Sequence, residues 1–293
     1  KTLVVTLTSP VSYFEELMTF PCYYPINEKF AEEQGDGYAK SAEAILSNGA
    51  FVMESWTPGS TANFVKNEDY WNADQVKLDK LVMNLVQEPT VAAQNFDSGS
   101  NDFAPINSDL VDQYKDDDAF ITFKEGYLFY LQPNFQNTDL QNLNLRKALS
   151  LAIDREDFAT NVLKDGSIEA NGFVPEDLSI GPNGQDFRDD AKDFTTYDLE
   201  AAQAALDQAL QELGKSEITL KLMYGTDESP MDTMATYLQN AFTKLDGLNI
   251  EMVATTKQDR IYVKQANGDF DISCTRWGPD YGDATTYLNL MKS

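Results

Sequence analysis

Asp198-Leu199-Glu200-Ala201-Ala202-Gln203-Ala204-Ala205-Leu206-Asp207-Gln208-Ala209-Leu210-Gln211-Glu212-Leu213-Gly214 is followed, after three residues, by Ile218-Thr219-Leu220-Lys221-Leu222-Met223-Tyr224. The first stretch reads as a helix: Asp198 is an N-cap, Leu199, Ala202, Ala205, Leu206, Ala209, Leu210 and Leu213 form an apolar stripe, and Gly214 is the stop. The second stretch reads as a strand. Outward from this pair the theme repeats. Residues 230–246 place Met231, Met234, Ala235, Leu238, Ala241, Phe242 and Leu245 on one side of a second helix, and strand-like runs follow at 249–254 and 270–276. Upstream, Leu145, Ala148, Leu149, Ala152 and Ile153 recur at helical spacing, and Asp154-Arg155-Glu156 opens a further turn carrying Phe158, Val162 and Leu163. Further strand-like runs lie at 3–8, 50–56, 61–66, 80–86, 119–124 and 126–132. Strands alternating with amphipathic helices predict an α/β protein.

Two connections stand out. Trp56-Thr57-Pro58-Gly59-Ser60 joins two of the strand runs as a hairpin, with Pro58 presetting φ and Gly59 supplying the positive φ of a type II turn. The stretch 164–196 is rich in Gly and Asp and has little periodicity, which predicts a long functional or surface loop.

Composition narrows the function. With 293 residues, 42% of them hydrophobic, the chain can bury a core of two lobes. No apolar run approaches the roughly 20 residues of a membrane span. The 22 basic and 48 acidic residues give a net charge of −26, which disfavours nucleic acid and anionic membranes as partners. There is no histidine, so Ser-His-Asp and Cys-His nucleophile systems and the common catalytic zinc sets are excluded. Cys22 and Cys274 form no metal-binding spacing; one disulfide and two buried thiols both remain open. Asp116-Asp117-Asp118 and the group Asp186, Asp189, Asp190 and Asp193 lack calcium-loop spacing and read as solvated charge. No cofactor and no metal is implied.

Three stretches carry a more specific signal. Gly49-Ala50-Phe51 begins a strand that ends in Trp56, the Pro58-Gly59 turn and a second strand follow, and the stretch closes on Asn67-Glu68-Asp69-Tyr70-Trp71. Asn144-Leu145-Arg146-Lys147-Ala148-Leu149-Ser150-Leu151-Ala152-Ile153-Asp154-Arg155 is the second, and Gly268-Asp269-Phe270-Asp271-Ile272 with Trp277-Gly278-Pro279-Asp280-Tyr281-Gly282-Asp283 is the third. In this order they resemble the oligopeptide/dipeptide solute-binding proteins, bacterial extracellular binding-protein family 5. Ala284 stands where that pattern usually has Pro, and Pro133 falls in a strand that usually runs on.

The resemblance implies a two-lobed periplasmic-binding-protein-like (type II) fold, with mixed sheets and flanking helices, present as a partial chain. Residues 1–122 would be the second part of lobe I and 123–293 most of lobe II. The chain looks cut at both ends, because Lys1–Leu7 already reads as a strand inside a domain. The family pattern implies further segments on either side, including a secretion or lipid-attachment signal.

It also implies an extracytoplasmic, non-enzymatic binding component of an ABC importer, a monomer whose lobes close over a peptide and which a membrane permease then recognises. Asp280 would hold the peptide's α-ammonium group; the competing reading is a turn Asp that bonds its own backbone. Arg276, Trp277 and Gly278 would offer main-chain groups to an extended peptide. Trp277 could instead be a core Trp, and Arg276 a ligand-carboxylate receptor or a salt-bridge partner. Tyr281 belongs to the same loop. Tyr127 and Phe129 share a strand face opposite Tyr130, so one of the two faces could line a ligand. Asp283 reads as a cap. Trp56, Tyr70, Trp71 and Arg146 read as structural, the first three as hairpin packing and Arg146 as a helix-face cation that neutralises nearby acids. A carboxylate-based glycoside hydrolase, and a surface sensor or adhesin on the same fold, stay open as alternatives.

Overall fold

A computed structural model describes residues 2–191, 193 and 196–292, so residues 192, 194 and 195 of the predicted loop lie outside the described residues. The chain divides into two compact units, Met18–Ile106, and Lys1–Leu17 together with Asn107–Ser293. The second unit therefore takes in residues 1–17 and 107–122, which the lobe reading assigns to lobe I.

In the first unit, β1 (Phe51–Thr57), β2 (Thr61–Lys66) and β3 (Lys80–Asn84) form an antiparallel sheet in that order. The hairpin turn forms where the sequence places it: the Ser60 amide donates to the Thr57 carbonyl, and Gly59 has φ 74°. Trp71 stands 83% exposed, so the expectation that it packs on the hairpin is corrected; its ring contact is with the neighbouring Tyr70.

The second unit holds the larger core. β4 (Leu128–Pro133), β5 (Ile218–Gly225), β6 (Leu248–Thr255) and β7 (Ile272–Trp277) form one sheet ordered β4-β7-β5-β6. β5 runs parallel to both β6 and β7, and β4 is antiparallel to β7. The helices Leu143–Leu151, Leu199–Leu213 and Met231–Phe242 meet this sheet in one buried cluster that includes Leu145, Leu206, Leu220, Leu222, Phe242 and Ile272. On β4, Phe129 and Leu131 pack against that cluster. The alternate residues face the other way: Leu128 lies in a second cluster with Val174, Ala284 and Tyr287, and Tyr130 meets Phe173 edge-on. Both faces of β4 are thus packed.

The opening helix shows how local sequence becomes structure. Asp198 accepts from the Ala201 amide, and Gly214, left-handed at φ 67°, donates to the Leu210 and Gln211 carbonyls. Asp198→Ala is expected to lower stability by about 1 kcal/mol, read as a shifted urea midpoint at constant slope.

Two expected strands do not form. Residues 3–8 and 119–124 are irregular, and Leu3, Val4, Ile121 and Phe123 are exposed. A strand is completed only by a neighbour that takes its backbone groups, and none of the described residues does so here. The cysteines are both free, Cys22 exposed and Cys274 fully buried, so the disulfide reading falls, and with it the expectation that both thiols are buried. Burial pushes the Cys274 thiol up to about 12. Native protein at pH 8 is therefore expected to take one alkyl group per chain, at Cys22, and two after unfolding, counted by mass spectrometry.

Arg146 also differs from expectation. Its Nη1 donates to the Leu140 and Gln141 carbonyls at 2.7 and 2.9 Å, and its guanidinium lies over Phe135, so it closes a helical turn and forms no ion pair with an acid among the described residues. The acidic group in the loop is likewise not all solvated charge: Asp186 accepts from the Asp177 and Arg188 amides, and Asp193 pairs with Arg188 at 2.7 Å.

Candidate functional site

β5 lies between β6 and β7, parallel to both, and the chain goes from β5 to β6 on one side before returning to β7 on the other. This is a topological switch point, and in open α/β sheets the crevice outside the carboxyl ends of such strands is where ligands bind. Three segments emerge there: Gly225 to Glu228 after β5, Thr255 to Lys257 after β6, and Arg276 to Asp280 at the end of β7. Tyr127 joins them as the chain enters the antiparallel β4, where Leu128 pairs with Trp277.

Five of the six site residues expected from the sequence are consecutive or nearly so, at 276–281, and Tyr127 is brought to them by strand pairing. The Arg276 guanidinium lies 4.7 Å from the centre of the Tyr127 ring and 5.9 Å from that of Phe129. Gly278 lets the Tyr127 ring lie close: a Cβ there would meet Tyr127 Cε1 at 2.6 Å, so the ring would have to move. Trp277 is half-buried against the second cluster, and its Nε1 sits 3.5 Å from the Thr286 hydroxyl. Its indole thus packs on one side, and the rest of the side chain is accessible.

Asp280 departs from the turn reading. Its amide donates to Thr286 Oγ1 at 3.1 Å, while its carboxylate makes no hydrogen bond or ion pair among the described residues. The charge is felt nearby: burial, then Tyr127 and Asp280, push the Tyr287 hydroxyl up to about 12, and this hydroxyl donates to the Gly126 carbonyl. Asp283 accepts from both the amide and the hydroxyl of Thr285, at 2.9 and 2.6 Å, and so holds the start of the Thr285–Leu288 turn; the cap position itself falls on Ala284. The loop is braced from the N-terminal segment. Tyr13 stacks on Tyr281 at 4.0 Å and 13°, and Glu16 accepts from the Gly282 amide.

Sequence reading missed the charged residues behind the loop. Glu228 and Arg260 are both buried, and Arg260 Nη2 meets Glu228 Oε2 at 2.6 Å. Lys257 Nζ lies 3.7 Å and Arg276 Nε 3.9 Å from Glu228 Oε1. Arg260 opens the π-helical turn Arg260–Gln265, an element often found beside functional sites. Nothing local flags either partner, since the pair forms across 32 positions of sequence.

The chain matches the family model for bacterial extracellular solute-binding proteins, family 5 Middle, over residues 1–293. It is 30% identical to a dipeptide-binding protein of Lactococcus lactis subsp. cremoris over 98% of the chain and 54% of that protein. It is 28% identical to the oligopeptide-binding protein OppA of Bacillus subtilis over 100% of the chain and 54% of that protein. The structure of Listeria monocytogenes OppA bound to peptide superposes with a TM-score of 0.84 at 32% identity, covering 98% of this chain and 57% of that one. The chain thus spans about half the length of the relatives it matches. No helix among the described residues is long and apolar enough to cross a membrane.

Proposed function

The chain belongs to family 5 of the bacterial extracellular solute-binding proteins, and on that premise we propose that it is part of the substrate-binding component of an ABC importer, with peptides as its cargo. Residues 1–122 contribute the second part of lobe I and 123–293 most of lobe II. The protein works outside the cytoplasm, in the periplasm or as a cell-surface lipoprotein, as a monomer that hands its ligand unchanged to a membrane permease.

The observation that carries the substrate class is Asp280: a carboxylate on the ligand-binding edge of the sheet that the described residues leave without a hydrogen bond or ion pair. A peptide's α-ammonium group supplies the charge-assisted bonds this carboxylate lacks. The Arg276-Trp277-Gly278 segment offers main-chain groups to the extended backbone, which gives affinity without reading side chains. Tyr127 and Tyr281 form part of the surrounding wall. The names of the similar proteins, dipeptide-binding and oligopeptide-binding, fit this cargo.

Native mass spectrometry of the full-length protein purified from its own source tests the reading. Co-purified peptides are expected. Recovery of a carbohydrate or a metal chelate in their place overturns the cargo, and conversion of a bound ligand to product overturns the non-enzymatic role.

A further inference from the structure

The edge of the sheet holds more charge than an ammonium site uses. Glu228 Oε1 is buried and has no hydrogen-bond partner, although Oε2 is engaged by Arg260. Within 4 Å of Oε1 stand Lys257, whose side chain is half exposed, and Arg276, whose Nε is just beyond hydrogen-bond reach. Asp227 and Asp259 flank the cluster but receive neutral donors, the Lys257 amide at 2.7 Å and the Thr255 hydroxyl at 2.5 Å. The Arg276 guanidinium lies over the Tyr127 and Phe129 rings, and its side chain is 30% exposed and makes no hydrogen bond among the described residues.

We infer that Glu228 is a positioning residue for Arg276, and that the free Nη edge of Arg276 receives a carboxylate of the ligand. This rests on the peptide reading and deepens it. A buried carboxylate oxygen without a donor is unfavourable, and Arg276 Nε–H becomes its donor with a shift of a few tenths of an ångström to about 1 Å. That contact consumes Nε and leaves the two Nη groups as a planar fork, which matches the two oxygens of a carboxylate. Contact with the two aromatic rings holds the guanidinium in place before ligand arrives, so less freedom is lost on binding. A chain of net charge −26 repels acidic ligands at long range, so admitting one takes cations at the point of contact. Arg260, fully buried and bonded to Glu228, anchors the arrangement without touching ligand.

The carboxylate has two sources, the peptide's C-terminus or an acidic side chain, and titration calorimetry on the full-length protein separates them. Three peptides of one sequence are compared: the free acid, its C-terminal amide, and the free acid with its glutamate exchanged for glutamine. At least one neutralised peptide is expected to bind roughly tenfold or more weakly than the parent, and which one it is names the source. Arg276→Gln is expected to abolish that difference. Glu228→Gln, which keeps an oxygen for Arg260, is expected to shrink it several-fold by weakening the acidic peptide more than the neutral one. If Glu228→Gln does not fold, the double variant Glu228→Gln with Arg260→Gln gives the same reading with no unpaired buried charge. Equal affinity for all three peptides in the unmodified protein overturns the inference, as does a preference that survives Arg276→Gln. An unchanged ratio in the Glu228 variant reduces that residue to a structural role and overturns its positioning. Failure to bind any of the three peptides overturns the peptide reading itself.

Discussion

Asp280→Ala is expected to weaken binding of a peptide with a free α-amino group by about 2–3 kcal/mol, roughly 30- to 140-fold in Kd. Removing one partner of a desolvated charge pair costs more than the pair contributes, because the remaining charge is left in a poor solvent. Here the remaining charge belongs to the ligand. The loss falls at the low end of the usual range because Asp280 is half-buried, so water offsets part of it. The N-acetylated form of the same peptide has no ammonium to lose, and its affinity is expected to shift far less. Calorimetric titration of both peptides against both proteins measures the difference directly. Equal weakening of the two would mean that Asp280 shapes the loop and does not meet the amine. Two neighbours bear on that outcome: the Asp280 amide is tied to Thr286, and Asp283 holds Thr285, so the loop keeps its local bonds when the Asp280 side chain is removed.

How far the sequence could be read depended on how local the deciding interactions are. The Leu199–Leu213 helix was legible because its cap, its stripe and its stop lie within one stretch. The Pro58-Gly59 turn was legible for the same reason. The 3–8 and 119–124 runs have the composition of strands and form none, since a strand is completed by a neighbour the run itself does not encode. Trp71 closes the hairpin motif in sequence and yet stands in solvent. At the site, the Trp-x-x-Asp loop stood out as a motif, and strand pairing then brought Tyr127 onto Gly278 and under Arg276. That contact depends on a register of Leu128 opposite Trp277 that no periodicity reveals. Glu228 and Arg260 were invisible among 48 acids and 22 bases, because what distinguishes them is burial.

That burial makes the pair the second place where a single change should have a large effect, and the two halves should differ. Glu228→Ala is expected to cost about 3–5 kcal/mol of stability, the range seen when a buried ion pair loses one member. Arg260 is 1% exposed and its Nε and Nη1 already lack acceptors, so without Glu228 its guanidinium keeps no hydrogen-bond acceptor among the described residues. Arg260→Ala should cost less, toward about 3 kcal/mol. The carboxylate it leaves behind still has Lys257 and Arg276 within 4 Å, and removing Arg260 also removes two unsatisfied donors, each of which costs about 1–3 kcal/mol. Replacing both residues with leucine should recover most of the loss, because no charge then remains to be desolvated. Urea unfolding of the three variants orders them. If Arg260→Ala proves the more damaging, the carboxylate depends on Arg260 alone. Lys257 and Arg276 would then contribute nothing to holding it, and the tether between Glu228 and Arg276 would lose its basis.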